Sequence, residues 1–168
     1  GKARSMIGML EQLQVPLALA REALGIQGLS AEASRNFRDK ARMKTVLTEA
    51  GVPCARHVLA GNAEQARAFA TKCGFPLVVK PPAGAGAKNT FRIDNAAELE
   101  TCLHRFPPNP EQPSLFEEFV RGSEYSFESV VVNGQPVWHS ISRYHPSPLE
   151  VLENAWIQWP VLLPRDIK

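Results

Sequence analysis

Lys40, Lys80, Glu117 and Glu124 are ordered along the chain so that two flexible ammonium groups precede two carboxylates. An ammonium on a four-carbon stem meets phosphate oxygens as a compact point charge with three rotatable donors. A carboxylate at the end of an apolar strand can accept from an amino group or from paired hydroxyls. Together the four describe a nucleotide site, with two basic arms for phosphates and an acidic strand-borne pair for adenosine. Few polar groups are needed to orient a ligand of that kind.

The first arm sits on a predicted helix over 39 to 50. Met43, Val46, Leu47 and Ala50 recur at helical spacing, Asp39 can cap the start, and Gly51 offers a stop. Lys40, Arg42 and Lys44 crowd the first two turns, where the helix dipole disfavours cations by roughly a few tenths of a kcal/mol each. A bound anion would remove that penalty for Lys40, whereas Arg42 and Lys44 read as a solvated charged face. The second arm closes the apolar run Phe75-Pro76-Leu77-Val78-Val79-Lys80, a predicted buried strand. Pro81-Pro82-Ala83-Gly84-Ala85-Gly86-Ala87-Lys88-Asn89-Thr90 follows, a small-residue loop whose backbone N–H groups can wrap phosphate oxygens. It has neither the spacing of a P-loop nor the third glycine of a dinucleotide fingerprint. On its own it reads equally well as a surface turn.

The acidic pair lies on Ser114-Leu115-Phe116-Glu117-Glu118-Phe119-Val120, which turns at Gly122 into a second strand beginning at Glu124. Glu117 can accept from an adenine amine, backbone groups nearby can read the ring edge, and Glu124 can accept ribose hydroxyls.

With these residues in place the chain resembles the ATP-grasp superfamily, most nearly its biotin carboxylase and carbamoyl phosphate synthase branch. The matching motifs are Asp39-Lys40, Ala50-Gly51-Val52-Pro53, Gly74-Phe75-Pro76-Leu77-Val78-Val79-Lys80 with its loop, and Glu117-Glu118-Phe119-Val120 with Gly122 and Glu124. They cover about residues 24 to 144. The resemblance implies that Lys40, Lys80 and the loop at Gly84 and Gly86 contact ATP phosphates. It implies further that the run from Glu117 through Glu118 and Phe119 to Val120 holds adenine, and that Glu124 holds ribose. The implied fold is α+β, an α/β first lobe followed by an antiparallel second lobe. Residues 1–34 then resemble the end of a preceding region, 35–120 the first lobe with its phosphate loop, and 121–168 an incomplete second lobe.

Two departures accompany the match. Alanines stand at positions 83, 85 and 87, where the family loop carries more glycine. No Glu-x-Asn pair of the kind that holds Mg2+ in this family is present, so metal ligands are expected downstream, in a longer protein. The implied activity is that of an ATP-dependent ligase. ATP phosphorylates a small-molecule carboxylate to an acylphosphate, which an amine or other nucleophile then attacks, and no side-chain nucleophile is required. Carboxyphosphate chemistry and a non-catalytic nucleotide-binding module are the alternatives, and the segment by itself is expected to be inactive.

Composition narrows the classes. The 168 residues are 44% hydrophobic with net charge +2, too mild a balance for a nucleic-acid partner, and the basic residues are not interleaved with aromatics. No apolar stretch approaches the roughly 20 residues of a membrane helix, so no membrane partner is expected. Cys54, Cys73 and Cys102 are odd in number and widely spaced, which fits core thiols in a reducing cytoplasm. Homo-oligomerisation is left open.

Further elements are predicted as helices over 13 to 24, 31 to 36, 63 to 73 and 96 to 105, and as strands over 56 to 59, 76 to 80, 90 to 93 and 114 to 120. Strands at 124 to 132 and 136 to 144 flank Asn133-Gly134, a hairpin signal. The four histidines share no metal-ligand spacing. Arg143 reads as a surface or ion-pairing residue, and Trp156 and Trp159 as core or interface packing.

Overall fold

The structure, a computed structural model, describes residues 3–84, 89–154, 156–158 and 160–165, with only the backbone of Leu152. The chain divides into two compact units, Gly1–Phe119 and Val120–Lys168.

The first unit opens with a 3-10 turn, Glu11–Leu13, and three helices: α1 (Gln14–Leu24), α2 (Ala31–Arg38) and α3 (Lys40–Glu49). Asp39 ends α2 and starts α3 in extended conformation, and its carboxylate accepts from the N–H groups of Ala41 and Arg42 at 2.9 and 3.1 Å. Next come β1 (His57–Ala60), α4 (Ala63–Cys73), β2 (Leu77–Lys80), β3 (Phe91–Ile93), α5 (Ala96–Arg105) and β4 (Ser114–Glu118). The strands form one sheet in the order β1-β4-β2-β3, and every pairing in it is antiparallel. Alternation of helix and strand along this stretch therefore does not produce a parallel sheet.

Successive strand residues face opposite sides of the sheet. Leu77, Val79, Ile93 and Phe116 share the core with Ala66 and Ala70 of α4 and Leu99 and Leu103 of α5. The small alanines let α4 lie close over the sheet. Asn62 and Asn95 cap α4 and α5, accepting from the N–H groups of Gln65 and Glu98. Asn62→Ala is expected to lower stability by about 1 kcal/mol through loss of that acceptor; an unchanged urea midpoint would show the cap to be dispensable.

Cys54, Cys73 and Cys102 are free thiols and half-buried, a correction to their reading as core residues. Cys73 and Cys102 pack at the core's margin, where burial pushes both thiols above the usual range.

In the second unit β5 (Glu124–Val132) and β6 (Gln135–Tyr144) form the expected hairpin. Asn133 and Gly134 both take positive φ, 50° and 77°, as a tight turn matching the strand twist requires. A short helix α6 (Pro148–Glu153), capped by Ser147, leads to β7 (Val161–Leu162), which pairs with β6. Trp156 is 83% exposed, which removes core packing from its expected roles and leaves interface packing. Trp159 lies outside the described residues. Arg143 is exposed on β6, its guanidinium 5.9 Å from the centre of the Tyr125 ring.

Candidate functional site

Register brings two of the expected residues together. Glu117 lies opposite Val78 and Leu115 opposite Lys80, so Lys80 and Glu117 are diagonal neighbours on one face. That face is turned away from the α4 and α5 core, because Phe116 and Val79 point the other way. The Lys80 ammonium sits 2.7 Å from Glu117 Oε2, the separation of a charge-assisted hydrogen bond.

A second cation reaches the same carboxylate. Lys40 and Lys44 stand four residues apart on α3 and so share one stripe of that helix. The Lys44 ammonium lies 3.4 Å from Glu117 Oε1, and its side chain is only 12% exposed. Its expected place on a solvated face is thereby corrected: the sheet and α3 enclose it. Arg42, on another side of α3, does face solvent and meets Glu32 and Asn36. Glu117 itself is buried, and Oε1 has no hydrogen-bond partner despite the nearby ammonium. Lys44 thus contributes charge there without hydrogen-bond geometry.

Lys40 is tied to the loop after β2. Its backbone N–H donates to Pro82 O at 2.8 Å, and its ammonium donates to Gly84 O at 2.7 Å. Burial, followed by the neighbouring Lys80 and Arg38 charges, pulls the Lys40 ammonium below the ordinary lysine range. An anion beside these cations would reverse the last two effects. The start of the loop, the α3 N-terminus and the end of β2 therefore meet. Gly86, the other loop glycine expected to touch phosphate, lies outside the described residues.

Glu118 behaves differently from its neighbour. Its carboxylate takes the Arg56 backbone N–H at 2.8 Å and guanidinium at 2.7 Å, on the opposite side of β4 from Glu117. Arg56 holds the Glu118 carboxyl below the usual carboxylate range. The Glu118 backbone N–H is taken as well, donating to Arg56 O at 3.0 Å. The Phe119 N–H donates to Pro76 O, its ring lies under the Arg92 guanidinium at 4.6 Å, and Val120 is exposed. Glu124 starts β5 in the second unit, opposite Tyr144.

Among the described residues no three of His, Cys, Asp and Glu gather as a metal would require. The buried carboxylate, Glu117, is already flanked by two ammonium groups, surroundings that repel a dication. The described site therefore does not fit Mg2+.

Residues 39–116, from the α3 cap through Lys80 to the strand carrying Glu117, match the family model "Carbamoyl-phosphate synthase L chain, ATP binding domain". The chain belongs to the ATP-grasp superfamily. Over 129 residues, 74% of its length, this ATP-grasp segment is 30% identical to an L-arginine-specific L-amino acid ligase of Bacillus subtilis, covering 31% of that protein. It is 31% identical over 130 residues to a carbamoyl phosphate synthase large chain of Rubrobacter xylanophilus, covering 12% of it. The crystal structure of an L-amino acid ligase from Bacillus licheniformis superposes on 98% of this chain with a TM-score of 0.74 at 23% identity, and the chain spans 37% of it. The ATP-grasp segment thus spans about a third or less of the relatives it matches. No described helix is long and apolar enough to cross a membrane.

Lys44 is the site residue that sequence reasoning placed wrongly. The available signal was its i, i+4 relation to Lys40, together with a glutamate set among apolar residues in a strand that needs a cation wherever it is buried.

Proposed function

We propose that this chain is the ATP-binding part of a ligase that joins a small-molecule carboxylate to an amine through an acylphosphate. The observation that carries the reading is the pair of Lys44 and Lys80 ammonium groups on one buried carboxylate, with the Lys40 ammonium held on the Gly84 carbonyl of the loop at residues 81–84. Arg38 beside Lys40 is itself paired with Glu11 at 3.8 Å, so the three lysines against Glu117 leave a positive excess, and a polyphosphate supplies the missing charge. The two L-amino acid ligases among the relatives support the substrate class.

In this reading Lys40 and Lys80 bind the phosphates and stabilise charge on the transferring group, a mainly electrostatic contribution. A carboxylate oxygen attacks the terminal phosphorus, and the bond to the bridging oxygen breaks with release of ADP. The amine then attacks the acyl carbon and expels phosphate, which keeps one carboxylate oxygen. The full-length protein, given ATP and an 18O-labelled amino acid with a second amino acid as amine, should therefore return labelled phosphate. Hydroxylamine in place of the amine should yield a hydroxamate. Absence of both products would sink the acylphosphate reading. ADP release dependent on bicarbonate would favour carboxyphosphate chemistry, to which the carbamoyl phosphate synthase match also points.

We further propose that Glu117 and the Glu118 to Val120 backbone hold adenine and that Glu124 accepts the ribose hydroxyls. Glu124→Ala in the full-length protein should weaken ATP binding by about 1 to 3 kcal/mol, the scale of a lost hydrogen bond to a charged group. Calorimetry finding unchanged affinity would remove Glu124 from the site.

A further inference from the structure

Lys80 has two demands on it. It is bonded to Glu117 at 2.7 Å, and the proposed function asks the same ammonium to meet a phosphate. Were Lys80 to leave with no other cation present, it would strand a carboxylate only 8% exposed. Loss of one partner from a buried ion pair is strongly unfavourable, because the remaining charge keeps its desolvation cost and loses its attraction. Such a Glu117 would hold Lys80 back and oppose nucleotide binding.

Lys44 meets the requirement for a second cation. Its ammonium lies 3.4 Å from the other carboxylate oxygen, Oε1, which is buried and accepts no hydrogen bond. A shortening of about 0.5 to 0.7 Å from 3.4 Å, with a change of angle, would bring it into the 2.7–2.9 Å range of a charge-assisted bond. We propose that Lys44 is a positioning residue, a resident counterion that takes over Glu117 when Lys80 turns to the phosphates. The exchange moves the strong bond from Oε2 to Oε1 and leaves Lys44 and Glu117 as a neutral pair. The whole charge of Lys80 is then released to the nucleotide. Lys44 itself need not touch ATP. This inference rests on the proposed reading of Lys80 as a phosphate ligand.

Calorimetry on the full-length protein with ATP and with adenosine separates the roles. Lys44→Met should weaken ATP binding about tenfold, as expected when a buried carboxylate must be left without its second cation. Adenosine, which does not draw Lys80 away, should lose less than about twofold on the same ground. Lys44→Arg should retain ATP affinity. In a Glu117→Gln background no carboxylate needs a counterion, so adding Lys44→Met should cost ATP binding almost nothing, the non-additivity that marks coupled residues. That arm remains decisive if Lys44→Met alone does not fold. Equal losses for ATP and adenosine, or an undiminished effect of Lys44→Met in the Glu117→Gln background, would overturn the proposal in favour of a structural or direct phosphate role. A wild-type protein that binds no ATP would instead overturn the functional reading, whereas wild-type binding with no effect of Lys44→Met would overturn this inference alone.

Discussion

Lys80→Ala in the full-length protein is expected to lower ATP-dependent turnover by about 10²- to 10³-fold, or roughly 3 to 4 kcal/mol of barrier, the scale of removing one preorganised charge-stabilising donor. The ammonium closes β2 on the Glu117 face by strand register, and its turn to a phosphate gives up the 2.7 Å bond to Glu117 while keeping its place at the strand end. Its neighbour Lys40 is already engaged with the Gly84 carbonyl and cannot simply substitute. The fold should survive, since Lys44 still faces Glu117 once Lys80 is gone. Steady-state ADP release, with a melting temperature recorded beside it, checks both halves. A turnover loss below about fivefold in a folded variant would exclude Lys80 from the phosphate site, because it falls well short of the donor scale.

Glu117→Ala is expected to act on stability, with a loss of about 3 to 5 kcal/mol, the range for removing one partner from a buried ion pair. Two ammonium groups, 12% and 22% exposed, would then face each other without a counter-charge. Against a typical total of about 5 to 15 kcal/mol, that loss leaves a substantial unfolded population. Urea denaturation should show a lower midpoint at an unchanged slope. A shift under about 1 kcal/mol would mean that the lysines reach water easily and that Glu117 is no structural anchor, since exposed ion pairs contribute only that much.

Much of this organisation was legible because it is local. Asp39 announced a helix start through a side-chain acceptor just ahead of an apolar repeat, and the structure has it as a cap. Asn133-Gly134 announced the hairpin through its demand for positive φ. Lys80 and Glu117 were legible as polar residues closing apolar runs. What remained hidden depends on partners distant in sequence. The place of β4 between β1 and β2 follows from the pairing of His57 with Glu117 and of Val78 with the same residue, and no short-range pattern encodes either. Glu118 looked equivalent to Glu117 because both end one strand, yet strand alternation sends it to Arg56. Lys44 looked solvated because its helix is strongly polar; only packing against the sheet encloses it.

The strand order β1-β4-β2-β3 also has a temporal side. During synthesis β1, α4, β2, β3 and α5 all emerge before β4, and β1, at the sheet edge, has β4 as its neighbour in the sheet. The sheet cannot close until its last-made strand inserts between the first two, a distant contact whose loop entropy is met late. Glu117 arrives on that same strand. The carboxylate that gathers the lysines is therefore delivered by the step that completes the sheet, so a chain halted before residue 117 carries the basic arms without the group that orders them.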